Sequence, residues 1–215
     1  MALQKKDFIE IEFTGKVKGG DLFDSNVKED LKKLNPDAEA KPFTFCLGEG
    51  MFMKGVDEFL IGKEIGSYTI ELSPENAFGQ RNLSFIQKIP MKVFQGQNIK
   101  PHPGAVYNFD GRIAKILSVS GGRITADFNH PLAGKDIIYE VNVLKKIENL
   151  NEKLKSFITF LFRKELKFSV EGKKLILEVE KELSKFAELF KDKFKEIFDL
   201  DLEIKEINSP SKSQQ

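Results

Sequence analysis

Apolar rings dominate the chemistry available to this chain, whose 215 residues include 20 Phe and 3 Tyr but no Trp. Phe13, Phe23, Phe43, Phe52, Phe78 and Tyr139 come from distant segments, as do Met53 and Val56, and one acid, Asp24, sits between Phe23 and Ser25. Any one of these rings alone reads as a core residue. As a set, given the ordered motifs quoted below, they read as a pocket for a small apolar ring with Asp24 as its one acid. Cys46, the one cysteine, lies between Phe45 and Leu47 in a strand-like run and reads as a buried, inert thiol. His102 sits between two prolines and His130 in a turn, and isolated histidines make poor metal sites. No metal and no cofactor is expected.

The elements that must position these residues are short. Residues 8–17 alternate as a half-buried strand ended by Gly19-Gly20, and 43–47 and 68–72 read as further strands. Residues 27–41 are polar, with a breaker at Asn35-Pro36-Asp37, and read as a surface loop; 56–61 suits a short helix stopped at Gly62. Residues 84–129 read as a small all-β unit, with strands over 113–119 and 124–128 between glycines. A turn at 129–134 then leads into a strand over 137–143. From 149 onward the pattern is α-β-β-α-β. Leu150, Leu154, Phe157, Ile158 and Leu161 stripe a first helix, and Leu183, Phe186, Phe190, Phe194 and Ile197 a single second one. About 60 residues is small for independent stability, so that second stripe is expected to pack on another copy. Residues 209–215 read as disordered.

Charge excludes some partners. Lys+Arg is 34 against Asp+Glu 33, so no net field favours nucleic acid or an anionic membrane. The N-terminus lacks an apolar run of signal length and no segment approaches a membrane span, which makes the cytoplasm the expected compartment.

Six motifs then stand in one order: FTG at 13–15, DLFDSN at 21–26, KPFTFCLGEG at 41–50, GVDEFLIG at 55–62, SPENAFG at 73–79, and NHPLAGK at 129–135 running into IIYEVNVLKKI at 137–147. Together they resemble the FKBP family of peptidyl-prolyl cis-trans isomerases in its SlyD-like branch. The resemblance covers roughly residues 6–148, and with its C-terminal unit the chain looks like the long archaeal-type form. It implies an α+β chain: an FKBP-like antiparallel β-sheet with a short helix (1–83 and 130–148), a small all-β insert-in-flap domain (84–129) and a C-terminal α-β-β-α-β domain (149–208). It further implies a cleft with Phe13, Phe23, Asp24 and Phe43 along one wall, Phe52, Met53 and Val56 as the floor, and Phe78 and Tyr139 closing it. Relatives often carry Tyr where this chain has Phe13 and Phe78, which predicts reduced, not abolished, activity.

The chemistry so implied needs no nucleophile. Rotation about an Xaa-Pro bond breaks amide resonance, with a barrier of about 18–20 kcal/mol. A desolvating site that binds the twisted amide better than the planar one lowers it. The insert implies a chaperone role, and its client-facing candidates are Ile86, Ile89, Met91, Val93, Phe94, Tyr107 and Phe109. Expected partners are unfolded or nascent polypeptides with Xaa-Pro bonds, a macrolide-type ligand in the same cleft, and a second copy through the C-terminal domain. The alternative is a non-catalytic holdase or adaptor on the same scaffold.

Overall fold

The computed structural model describes residues 2–96 and 99–207, so the expected disordered tail lies outside the described residues. The chain opens with β1 (Phe8–Val17) and β2 (Leu22–Ser25) and passes through α1 (Lys28–Leu34) to β3 (Phe43–Cys46). α2 (Lys54–Leu60) and β4 (Gly66–Leu72) follow. A second run holds β5 (Ile86–Pro90), α3 (Met91–Gln95), β6 (Val106–Phe109), β7 (Arg112–Ser120) and β8 (Arg123–Asp127). Then come β9 (Ile137–Lys146), α4 (Leu150–Phe162), β10 (Phe168–Glu171), β11 (Lys174–Glu180), α5 (Lys181–Glu188), α6 (Lys191–Phe198) and β12 (Asp201–Ile207). The result is the expected mixed α+β architecture.

β1 organises the first sheet, ordered β2-β1-β9-β4. One edge of β1 pairs antiparallel with β9 over most of its length. The other edge is shared by two short strands laid end to end: β3 pairs with Phe8–Ile11 and β2 with Thr14–Lys16. Phe43 and Phe23 are thereby delivered to either side of Phe13. β1 is also more buried than its alternation predicts. Ile9, Ile11 and Phe13 face one side, while Phe8, also buried, meets the rings of Phe157 and Phe198 at 6.5 and 5.5 Å on the other.

Residues 27–41 are not all loop. α1 forms because Glu29 and Asp30 stand in its first turn and Lys32 and Lys33 in its last, matching the helix dipole. The Asn35-Pro36 breaker ends this helix instead of preventing it, with the Asn35 N–H bonded to the Leu31 carbonyl.

The insert sheet runs β5-β8-β7-β6 and has its own core of Phe94, Ala114, Ile116, Ile124 and Ala126. It is not purely β: Pro90 starts the single-turn helix α3, which drives Phe94 inward. Where the chain enters and leaves the insert, two asparagines bracket it. Asn82 N–H donates to Asn129 Oδ1 at 2.8 Å, and Asn129 Nδ2 donates to the Asn82 carbonyl at 2.9 Å.

In the third sheet β11 is central, antiparallel to β10 and parallel to β12. A parallel pair needs a crossover, and α5 and α6 supply it. The second helix is therefore two, broken at Leu189-Phe190, where Phe190 leaves helical geometry (φ −101°, ψ 4°). The break divides the Phe stripe. Phe186 and Phe190 pack on Phe162, while Phe194 and Phe198 pack on Phe157 and so toward Phe8. Much of the stripe thus finds its cover within this chain: Leu154, Phe157, Phe194, Leu175 and Leu177 share one continuous core with Ile11, Val56 and Tyr139.

Candidate active site

The expected cleft residues converge on a chain of touching rings. Phe13 and Phe52 approach to 4.8 Å between centroids, and each meets Tyr139, at 6.0 and 5.5 Å. Phe43 stands edge-on to Phe13 at 6.4 Å, 5.6 Å from Phe52, and stacks on Phe45 at 5.6 Å. Phe23 meets Tyr139 at 5.8 Å and Phe78 at 5.5 Å, both edge-on. Edge-to-face aromatic pairs at this spacing are favoured by the ring quadrupole. The parts differ from the expected wall and floor. Phe13, Tyr139 and Val56 are buried, so Val56 joins the core beneath, whereas Phe23, Phe43, Phe52, Met53 and Phe78 are half-buried and present the apolar surface.

Two backbone features aim these rings. Between Gly15 and Lys16 the β1–β2 register slips, so Phe23 is an extra residue on its strand. Such a bulge re-aims a side chain. Gly15 lies directly beneath: a Cβ there would come within 2.9 Å of both Phe23 Cζ and Tyr139 Cε1, so only glycine lets both rings lie on the β1 backbone.

Asp24 is half-buried, and that burial raises its carboxyl above the ordinary value, offset in part by the Ser25 backbone N–H. Phe13 brings no hydroxyl to this carboxyl, and the Ser25 backbone N–H is its donor. Burial likewise raises the Tyr139 phenol, with the nearby Asp24 charge adding to the effect. Cys46 is buried and its thiol pushed up to about 12, chiefly by burial. Among the described residues no three His, Cys, Asp or Glu side chains are grouped to hold a metal ion.

Several positioning residues carried no assigned role in the sequence. Asn26 accepts from the Phe13 N–H at 2.7 Å and donates to the Ile11 and Lys41 carbonyls at 3.0 and 3.1 Å. It ties β1 to the segment preceding Phe43. Ser25 Oγ donates to the Phe13 carbonyl and lies 2.9 Å from Thr14 Oγ1, which reaches Asp30. Buried Asp57 accepts the Gly48 N–H at 2.7 Å, bracing the bend that leads to Phe52. His130, expected only as a turn residue, stacks on Phe78 at 4.7 Å and 4° and extends the rim. Its Nδ1 accepts the Leu132 N–H, which leaves Nε2 to carry the proton in the neutral ring. The signal for Gly15, Asn26 and His130 was their place inside the FTG, DLFDSN and NHPLAGK motifs.

The insert sorts differently from expectation. Phe94 is 3% exposed and packs edge-on against Tyr107 and Phe109, so it is the centre of the insert core and not a client contact. Ile89, Met91, Tyr107 and Phe109 are half-buried against it, Ile86 is half-buried, and Val93 is exposed. Strand alternation puts Tyr107 and Phe109 inside and turns Val106 and, across the hairpin, Ile113 outward; these are 61% and 63% exposed.

Comparison with known proteins agrees with this geometry. Residues 87–132 match the family described as FKBP26, IF domain. The chain is 32% identical over 145 residues to the short-type peptidyl-prolyl cis-trans isomerase of Methanocaldococcus jannaschii, covering 66% of this chain and 92% of that protein. It is 30% identical over 141 residues to the probable FKBP-type 16 kDa peptidyl-prolyl cis-trans isomerase of Pseudomonas fluorescens (63% and 86% covered). It is 32% identical over 108 residues to the FKBP-type isomerase SlyD of Vibrio cholerae (48% and 53% covered). With the aromatic cleft assembled and relatives of this identity matched over most of their length, the chain belongs to the FKBP-type peptidyl-prolyl cis-trans isomerase family.

Proposed function

We propose that this protein isomerises Xaa-Pro bonds in the aromatic basin and holds unfolded polypeptide on its insert. The observation that carries the reading is the basin itself: Phe13 and Tyr139 as a dry base, with Phe23, Phe43, Phe52 and Phe78 as a half-open apolar rim. A proline ring seated there leaves its amide against rings instead of water. The planar, charge-separated amide loses more by that transfer than the twisted one, and the difference lowers the barrier. Each 1.4 kcal/mol of differential binding gives about tenfold in rate. A macrolide-type ligand presenting a similar ring would compete for the same basin. The test is NMR exchange on a short Xaa-Pro peptide with wild type and Phe43→Ala. Acceleration that falls sharply in the variant supports the reading; no acceleration by folded wild type rejects it in favour of a binding chaperone.

Client holding is supported by the outward Val106 and Ile113 and by the edge strands β5 and β6, which offer backbone for strand addition. Self-association through the C-terminal unit is supported by Phe186 and by Leu189, 75% exposed, at the α5–α6 break. Sedimentation of Leu189→Lys beside wild type tests it, and an unchanged molecular mass rejects that surface. A cytoplasmic setting and the absence of nucleic-acid or membrane partners stay part of the proposal, supported by the balanced charge and by the one cysteine being a buried thiol.

A further inference from the structure

The C-terminal unit touches the segment that carries one side of the basin, and it does so with polar groups at defined points. α4 and α6 lie behind β1 and β3, with Phe157 and Phe198 on Phe8 and Phe194 on Phe157. Beside this apolar contact, two anchors reach the 43–52 segment. Ser156 Oγ on α4 donates to the Thr44 carbonyl at 2.6 Å. Thr44 stands between Phe43 and Phe45, the stacked pair that meets Phe52. Lys193 Nζ on α6 donates to Glu49 Oε2 at 2.7 Å.

Glu49 is an unusual place for a carboxylate. Its side chain is 5% exposed, while Lys193 is 47% exposed and also reaches Glu196 at 3.6 Å. It sits in a bend whose flanking Gly48 and Gly50 take φ of +81° and +67°, a conformation other residues rarely adopt. The same bend is gripped by Asp57 through the Gly48 N–H. It delivers buried Met51, whose sulfur accepts the Cys46 N–H, and then Phe52. A buried carboxylate without a partner turns toward water. Here that movement would carry the bend, and Phe52 with it.

We propose that the C-terminal unit is a positioning element of the basin, setting the Phe43 and Phe52 side through Ser156 and Lys193. Neither residue touches substrate; both act through the backbone of the 43–52 segment. The effect on rate rests on the isomerase reading above, while the effect on geometry does not.

The experiment uses the full chain with Lys193→Met, Lys193→Arg, Ser156→Ala and the pair Lys193→Met with Glu49→Gln. Each is compared well below its unfolding temperature by peptide isomerisation and by the 13C-methyl NMR shifts of Met51 and Met53, which flank Phe52. Lys193→Met is expected to lower kcat/KM about fivefold or more and to move both methyl signals. Lys193→Arg should keep wild-type values, and Ser156→Ala should shift the methyls in part. Adding Glu49→Gln should restore most of the loss, because a neutral amide needs no cation. A folded Lys193→Met with wild-type kcat/KM and unmoved methyl signals overturns the proposal, as does a Glu49→Gln that gives no relief. Should wild type prove inactive on peptides, the isomerase reading fails by itself and the methyl shifts alone decide this one.

Discussion

Replacing Gly15 by alanine probes the basin where its geometry is tightest. The new Cβ would stand 2.9 Å from Phe23 Cζ and Tyr139 Cε1 and 3.1 Å from Tyr139 Cζ. Non-bonded carbons rest at about 3.5–4.0 Å, so both rings must withdraw by roughly 0.5–1 Å. Tyr139 has little room to do so, being 2% exposed and hemmed in by Phe13, Phe23 and Phe52. The displacement is therefore passed to the base of the basin. Overpacking of this kind costs about 1–3 kcal/mol. Alanine returns about 0.4–1 kcal/mol by restricting the unfolded chain, and the Gly15 φ lies outside the left-handed range. A net loss of roughly 1–2 kcal/mol leaves the protein folded. Misplacement by about 1 Å at a reacting centre can lower rate by up to a hundredfold, so kcat/KM should fall about 10–100-fold. Peptide exchange NMR reads the rate, and urea unfolding of the same sample reads stability. A Gly15→Ala protein with wild-type kcat/KM would refute the claim that the β1 backbone seats these two rings.

Further outcomes follow from the same geometry. Asn26→Ala removes an acceptor for Phe13 and donors to Ile11 and Lys41, and should cost about 1–3 kcal/mol in urea unfolding; a loss under about 0.5 kcal/mol counts against the clamp. Phe78→Tyr adds a hydroxyl at the half-buried rim and should raise kcat/KM by up to about tenfold, whereas a decrease would mean that the ring edge, not a missing donor, limits the rate. Burial raises the Asp57 carboxyl above its ordinary 3.8, against the pull of the Gly48 and Gly50 N–H groups. The folded state then holds that proton more tightly than the unfolded chain, so Asp57's contribution is full below the ordinary value and is lost as pH rises through the raised one. Unfolding from about pH 4 to about pH 7 should show Asp57→Asn gaining on wild type as pH rises, and a pH-independent difference would contradict that assignment. Val106→Lys with Ile113→Lys should weaken protection of an aggregating client in light scattering and leave peptide isomerisation unchanged; full protection would move the client surface elsewhere.

Local pattern was enough for β1, β3, β4 and β9 of the first sheet and for β7 and β8 of the insert, because alternation and glycine punctuation are set by neighbours in the chain; it did not mark β2, β5 or β6. The first C-terminal helix and the two strands after it were legible for the same reason. The ordered motifs named the rings that meet in the basin. Distance in space was another matter. That β2 and β3 share one edge of β1, that the Phe23 bulge lies over Gly15, and that His130 stacks on Phe78 are facts of register and closure. No spacing in the chain encodes them. Phe94 and Val106 show the limit most plainly. Both are apolar residues of the insert, yet a single turn of helix buries the first while strand alternation exposes the second. The C-terminal Phe stripe could be read as a surface awaiting a second copy; only the fold shows its Phe194 covered by Phe157 and Phe198, which Phe8 of β1 meets in turn within the same chain. Residue types and motif order thus determined the chemistry on offer, apolar rings with one acid among them for a reaction that needs no nucleophile. Tertiary packing decided which rings are dry, which stay open, and which distant side chains, Ser156 and Lys193 among them, hold the cleft in shape. It does so because burial and contact depend on what the rest of the chain places opposite, and that is not local information.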